Sequence, residues 1–175
     1  MYPYLKLITT HTKAHFRPKI TIEDKSVLEF RVGISDIDPF MELNNARYFN
    51  YMELARWDYS YRTGFVDLMK KNRWGVAVGG ASIRYRRRIP FLTKFTMTTQ
   101  ALCHDERWFY FLQETHIKDT ICSSALMKVC ALSKSGLVPA PEVVKQMGYE
   151  GWGDEMPDWV SAWIEAEGQR PWPEK

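Results

Sequence analysis

The chain has 175 residues, enough for one domain with a sizeable core, and its aromatic content of 14% favours large apolar pockets. Its net charge of +3 is mild and does not argue for a nucleic-acid protein, which normally carries a stronger basic excess on one face. No apolar run approaches the roughly 18 residues needed to cross a bilayer, and three widely spaced cysteines, Cys103, Cys122 and Cys130, fit free thiols in a reducing cytoplasm rather than a disulfide frame.

Residues 1–26 are basic and free of acids up to Glu23, without the apolar core and cleavage site of a secretory signal. They read as an N-terminal arm lying on the domain or on a membrane surface. Residues 27–34, VLEFRVGI, alternate as a strand, with Leu28, Phe30, Val32 and Ile34 on one face. The turn SDIDPF ends it. From Asn45 to about Tyr61 the spacing becomes helical: Tyr48, Met52, Ala55 and Tyr59 recur at three- and four-residue steps, and Phe49 and Leu54 broaden the apolar surface. Such a helix is buried on most sides. Gly64 is its stop signal, and FVDLMKKN follows as a short second helix.

Residues 74–87, 91–103, 106–118 and 121–134 then read as four strands rich in β-branched and aromatic residues, joined by the short connections CHDER and KDT. PAPEVV opens a short helix, and Trp159, Trp163 and Ala166 give the tail helical spacing. The order predicts an α+β architecture in which one antiparallel sheet wraps around one long central helix. The expected organisation is an arm over 1–26, a domain over 27–150 and a Trp-rich C-terminal helix and tail over 151–175.

Strand, DIDPFMELNNARY, helix and four strands together resemble the hotdog-fold thioesterases, closest to the branch related to 4-hydroxybenzoyl-CoA thioesterase and the short acyl-CoA thioesterases. The resemblance runs from about Phe30 to Gly148. In that family an aspartate precedes the central helix, followed by Gly-His-Val or similar, then Asn-Asn and an aromatic. The matching positions are Asp38, Met41-Glu42-Leu43, Asn44-Asn45 and Tyr48; ERWFYFLQETHI resembles a later strand, with the family's glutamine at Gln113. Met41 and Glu42 depart from the family's usual glycine and histidine.

The resemblance implies hydrolysis of an acyl thioester of coenzyme A or a carrier protein. Asp38 would act as general base or nucleophile, stiffened by Pro39, and the helix N-terminus near Asn45 would polarise the carbonyl. It also implies a homodimer, or a tetramer built from dimers, with no metal or organic cofactor. Asp36 and Asp38 taken alone also fit plain turn and cap roles, and Asp36 is read as structural. One of Asn44 and Asn45 is a cap, with Asn45 assigned to the site. Tyr48 is read as pocket wall, Glu42 as a loop residue, and Glu53 with Arg56 as a helical ion pair. RYRRR places Arg84, Arg86 and Arg88 on one strand face, with Lys94 beyond the turn. These suit the phosphates of coenzyme A, and equally a solvated edge or dimer seam.

The alternatives are weaker. His11 and His15 lack the glutamate of a zincin motif, and Cys103 and His104 are adjacent on a strand, where their side chains diverge. A hydratase needs an aspartate–histidine pair near the helix mouth, and all four histidines lie elsewhere. The runner-up is a non-catalytic acyl-CoA or lipid-binding protein of the same fold.

Overall fold

The computed structural model describes residues 4–171. Its centre is α2, Asn45–Arg62, which begins where the Asn44 side chain accepts the Ala46 N–H at 2.9 Å. The helix ends where the Thr63 N–H returns to the Tyr59 carbonyl, followed by Gly64 at φ +81°. Tyr48, Tyr51, Met52, Leu54, Ala55 and Tyr59 are buried, so the helix is enclosed on most sides, although Phe49 is partly exposed. The short α3, Phe65–Asn72, follows as expected.

The sheet comprises β1 (Ser26–Arg31), β2 (Gly75–Tyr85), β3 (Lys94–His104), β4 (Phe109–Ile117), β5 (Thr120–Ser133) and a short β6 (Gly136–Val138). All pairings are antiparallel, in the order β1-β3-β4-β5-β2, with β6 also on β5. Along β3 Phe95, Met97, Thr99 and Ala101 are buried in alternation, and an irregularity between Ala101 and Cys103 ends it. The main core lies between this face and α2, joining Val32, Leu43, Tyr51, Met52, Phe95, Met97 and Met127. This is the hotdog fold anticipated from the sequence.

Asp105 fixes the β3–β4 hairpin by accepting the Arg107 and Trp108 N–H groups, both at 2.7 Å, and the Tyr110 hydroxyl at 2.6 Å. Helix α4, Ala140–Gln146, closes one end of the sheet. Helix α5, Asp158–Gln169, buries Val160 with Cys103, Tyr110 and Leu126, and Trp163 packs on this cluster. The Trp-rich tail therefore covers a face of the sheet. Gly79, at a bulge in β2, leaves room for Trp108; a Cβ there would sit 2.3 Å from the indole.

Several features differ from the sequence expectations: β1 ends at Arg31, short of the expected 34, and Ile34 is exposed in a 3-10 turn instead of facing the core. Part of the N-terminal arm is a helix, α1, Tyr4–Phe16, packed against α2. Strand β2 stops at Tyr85 rather than 87, because the Arg86 and Arg87 N–H groups both donate to the Cys122 carbonyl, at 2.7 and 3.0 Å. The two-residue alternation ends there, so Arg84, Arg86 and Arg88 do not share one strand face.

A buried carboxylate ties three elements together. Asp58 on α2, wholly buried, accepts from Arg17 after α1 (3.0 Å), Ser26 of β1 (2.6 Å) and Arg62 one turn on (3.5 Å).

Candidate active site

A single 3-10 turn, Ile34–Asp36, leads from β1 towards α2. Asp36 is buried and accepts from Lys6 Nζ at 2.7 Å, the Tyr51 hydroxyl at 2.6 Å and the Gly33 N–H at 3.0 Å, while its carbonyl accepts the Asn44 N–H. Burial works against its charge, but these bonds outweigh it and hold the carboxyl below its usual value. Asp36 thus anchors α1 and the entry to α2.

Asp38 is half-buried in the next turn. Its Oδ1 accepts the Phe40 N–H at 2.9 Å, its own N–H donates to the Glu42 carbonyl, and the Met41 N–H returns to the Asp38 carbonyl, both at 3.0 Å. Pro39 stiffens the bend, and Met41 takes the left-handed conformation at φ +61°. Glu42 lies 3.7 Å from the guanidinium of Arg88.

At the start of α2, capping falls to Asn44, so Asn45 is the first helical residue, with an exposed side chain. The Tyr85 hydroxyl donates to the Asn45 carbonyl at 3.4 Å, and the rings of Tyr48 and Tyr85 meet edge to face at 5.0 Å. Burial raises the Tyr48 phenol well above its ordinary value, with Cys122, Tyr85 and Glu42 adding to the effect. Asp38, Asn45 and Tyr48 thus lie around one end of α2.

An apolar cavity of about 260 Å³ lies further along the helix. Phe109, Phe111 and Val129 form its sheet side, and Val76 and Val78 of the edge strand β2, 41% and 51% exposed, form another wall. Glu53, Arg56, Trp57 and Ser60 line it from α2, a stripe at helical spacing. Arg56 donates to Gln113 Oε1 at 2.6 Å, and Gln113 Nε2 donates to the Met52 carbonyl at 2.9 Å and Thr99 Oγ1 at 2.8 Å. Gln113 is wholly buried, so this relay fixes the guanidinium at the cavity wall.

Asp38, Asn45, Tyr48, Arg84, Arg86, Arg88 and Lys94 are not among the lining residues. Glu53 is eight residues past Asn45, about 12 Å along the helix axis. Glu53 and Arg56, read from the sequence as a helical pair, both line this cavity. The polar residues Glu53, Arg56 and Ser60 recur with Trp57 at helical spacing, which is the signal the sequence offers.

The basic residues are exposed: Arg84 on β2, and Arg86, Arg87 and Arg88 beyond it. Lys94 opens β3 and pairs with Glu29 at 2.9 Å. Among the described residues, no group of three or more His, Cys, Asp or Glu is placed to hold a metal. His11 packs on Trp57 and Tyr61, with Nδ1 2.9 Å from the Tyr61 hydroxyl. Burial pushes the Cys103 thiol up to about 11, away from thiolate chemistry at neutral pH.

The profile of the thioesterase-like superfamily matches residues 32–164. The chain belongs to that superfamily. Among curated relatives it is similar to Protein THEM6 of Drosophila melanogaster, 26% identical over 154 residues that cover 86% of this chain and 78% of the fly protein. Protein THEM6 of Xenopus laevis is 32% identical over 93 residues, which cover 53% of this chain and 45% of the frog protein. Among solved structures, the probable thioesterase YbaW from Escherichia coli superposes with a TM-score of 0.65 at 20% identity, over 70% of this chain and 96% of YbaW. A DHNA-CoA thioesterase from Staphylococcus aureus gives a TM-score of 0.60 at 15% identity, over 82% of this chain and 91% of that one. These two share the fold of this superfamily member. No helix among the described residues is long and apolar enough to cross a membrane.

Proposed function

We propose that the protein hydrolyses an acyl thioester of coenzyme A. The observation that carries the reading is the apolar cavity beside α2, with a carboxylate and a fixed guanidinium on its wall, in a chain of the thioesterase-like superfamily. The acyl group would occupy the cavity. The N-terminus of α2 would polarise the carbonyl through its N–H groups and positive dipole end. Asp38 would activate water or attack the carbonyl itself.

The separation between Asp38 and the cavity has a geometric resolution in a homodimer. Strand β2 ends the main run of the sheet, with Val76 and Val78 exposed beside the cavity. If two copies pair through β2 across a two-fold axis, their α2 helices run antiparallel. A register that sets the N-terminal turn of one copy against the C-terminal half of the other would bring each cavity to the second copy's acid.

A second reading of the base rests on one observation: Glu53, not Asp38, lines the cavity of its own chain. Arg84, Arg86, Arg88 and Lys94 would hold the phosphates of coenzyme A. Single alanine substitutions at these positions should weaken coenzyme A affinity and flatten its salt dependence in calorimetric titrations. Four unchanged affinities would return the patch to solvent or to the subunit seam.

The test of function is a panel of acyl-CoA substrates of varied chain length and aromaticity, with thiol release followed under multiple-turnover conditions. Sustained release supports the enzyme. Stoichiometric binding without release would make it an acyl-CoA-binding protein of the same fold.

A further inference from the structure

Two loops beside Asp38 display large apolar side chains that the core does not use. Ile34 is 73% exposed, Phe40 80%, Met41 51% and Leu92 56%. Backbone bonds lace the loops together: the Phe91 N–H donates to the Met41 carbonyl at 2.9 Å, and the Leu92 N–H to the Val32 carbonyl at 3.1 Å. Glu42 and Pro90 form a further bridge. The exposed residues therefore belong to one supported surface.

Two of these residues occupy positions where the backbone favours something smaller. Met41 and Leu92 both lie in the left-handed region, each at φ +61°, where glycine or asparagine is the unstrained choice. The chain instead keeps bulky apolar side chains there and leaves them in solvent. Neither the packing nor the backbone accounts for that choice, whereas a partner outside the fold does.

The surroundings identify the chemistry of the partner. Residues 84–94 contain Arg84, Arg86, Arg87, Arg88 and Lys94 and no acid. Arg88 and Lys94 meet Glu42 and Glu29, and Arg86 and Arg87, both exposed, directly precede the Ile89–Leu92 loop. Protruding apolar side chains beside an exposed cationic segment complement an anionic bilayer surface: the first enter the headgroup boundary and the second attracts its charge.

We propose that these loops dock the protein peripherally on anionic membranes, with Phe40, Met41 and Leu92 inserted and Arg87 against lipid headgroups. Docking brings the turn that carries Asp38 to the lipid surface, where amphipathic acyl chains collect. The apolar residues of this surface are not among those that line the cavity.

The experiment is flotation of the full chain with vesicles of phosphatidylcholine alone and of phosphatidylcholine with phosphatidylserine, in the absence of acyl-CoA. The expected result is binding to the phosphatidylserine vesicles that weakens as salt rises. The double variant Phe40→Ser with Leu92→Asn should lower the bound fraction roughly tenfold or more, since most of the inserted apolar surface is gone. Arg87→Glu should lower it on anionic vesicles. Unchanged circular dichroism and thermal midpoint would establish that both variants fold.

Absence of flotation by the unmodified chain overturns the proposal. So does equal flotation by the apolar variant, which would leave only nonspecific charge attraction. Loss of self-association by that variant in light scattering, without flotation of the parent, would assign the patch to a second copy. Capture of an acidic acyl-carrier protein by the parent without flotation would assign it to that protein. Either result overturns membrane docking.

Discussion

The two aspartates before α2 are two residues apart and do different things, and their partners explain why. Asp36 is enclosed by an ammonium, a phenol and a backbone N–H, whereas Asp38 bends its own turn and stays half-open to solvent. Because Asp36 titrates below its unfolded value, its contribution to stability is complete above the unfolded pKa of about 4 and is lost as pH falls through the lower folded value. Asp36→Asn should cost about 1–3 kcal/mol at neutral pH, discounted because Lys6 is partly open to water. In denaturant titrations the gap between parent and variant should close below about pH 4. A gap that persists there would mean that the charge is not what matters.

Among elements, α2 is the best written in the sequence: its cap, its apolar spacing and its glycine stop are all local. The four long strands were equally legible, because β-branched and aromatic residues fill them and short connections separate them. Helix α1 was not legible. Its run ITTHT is β-branched and its first turn has no acid, so helix formation there depends on contacts with α2, where Thr10 and Ala14 are buried and His11 meets Trp57. Asp58 anchors the chain just past α1 by pairing with Arg17 while also holding Ser26 and Arg62. Asp58→Ala would leave two guanidinium groups without their carboxylate and should cost about 3–5 kcal/mol in thermal or denaturant unfolding. A cost near zero would show that α1 is a passenger on the domain.

The candidate site was legible in part for the same reason. Asp38 and the Asn pair stand out locally, and Gln113 entered through the family pattern. The relay Gln113–Arg56 joins residues 57 positions apart, which no local spacing displays. The expected arginine face failed because one carbonyl, that of Cys122, captures two successive N–H groups and breaks the alternation.

At the scale of the whole molecule, an open edge strand and a cavity beside it point to association through β2. Light scattering at micromolar concentration should give a particle of at least twice the chain mass of 20.6 kDa. Val78→Lys, which puts a charge on that edge, should shift it towards the monomer and reduce turnover together. A parent chain that remains monomeric would remove the geometry that brings Asp38 to a cavity.

The central claim is that Asp38 drives thioester cleavage at a cavity formed beside α2. Its most direct test is the turnover number of Asp38→Asn on the best acyl-CoA substrate, set beside Glu53→Gln. The account predicts a loss of roughly a hundredfold or more for Asp38→Asn with coenzyme A binding and thermal stability retained, and a much smaller effect of Glu53→Gln. Near-normal turnover by Asp38→Asn, with the loss falling on Glu53→Gln, would contradict it and transfer the chemistry to the carboxylate in the cavity wall.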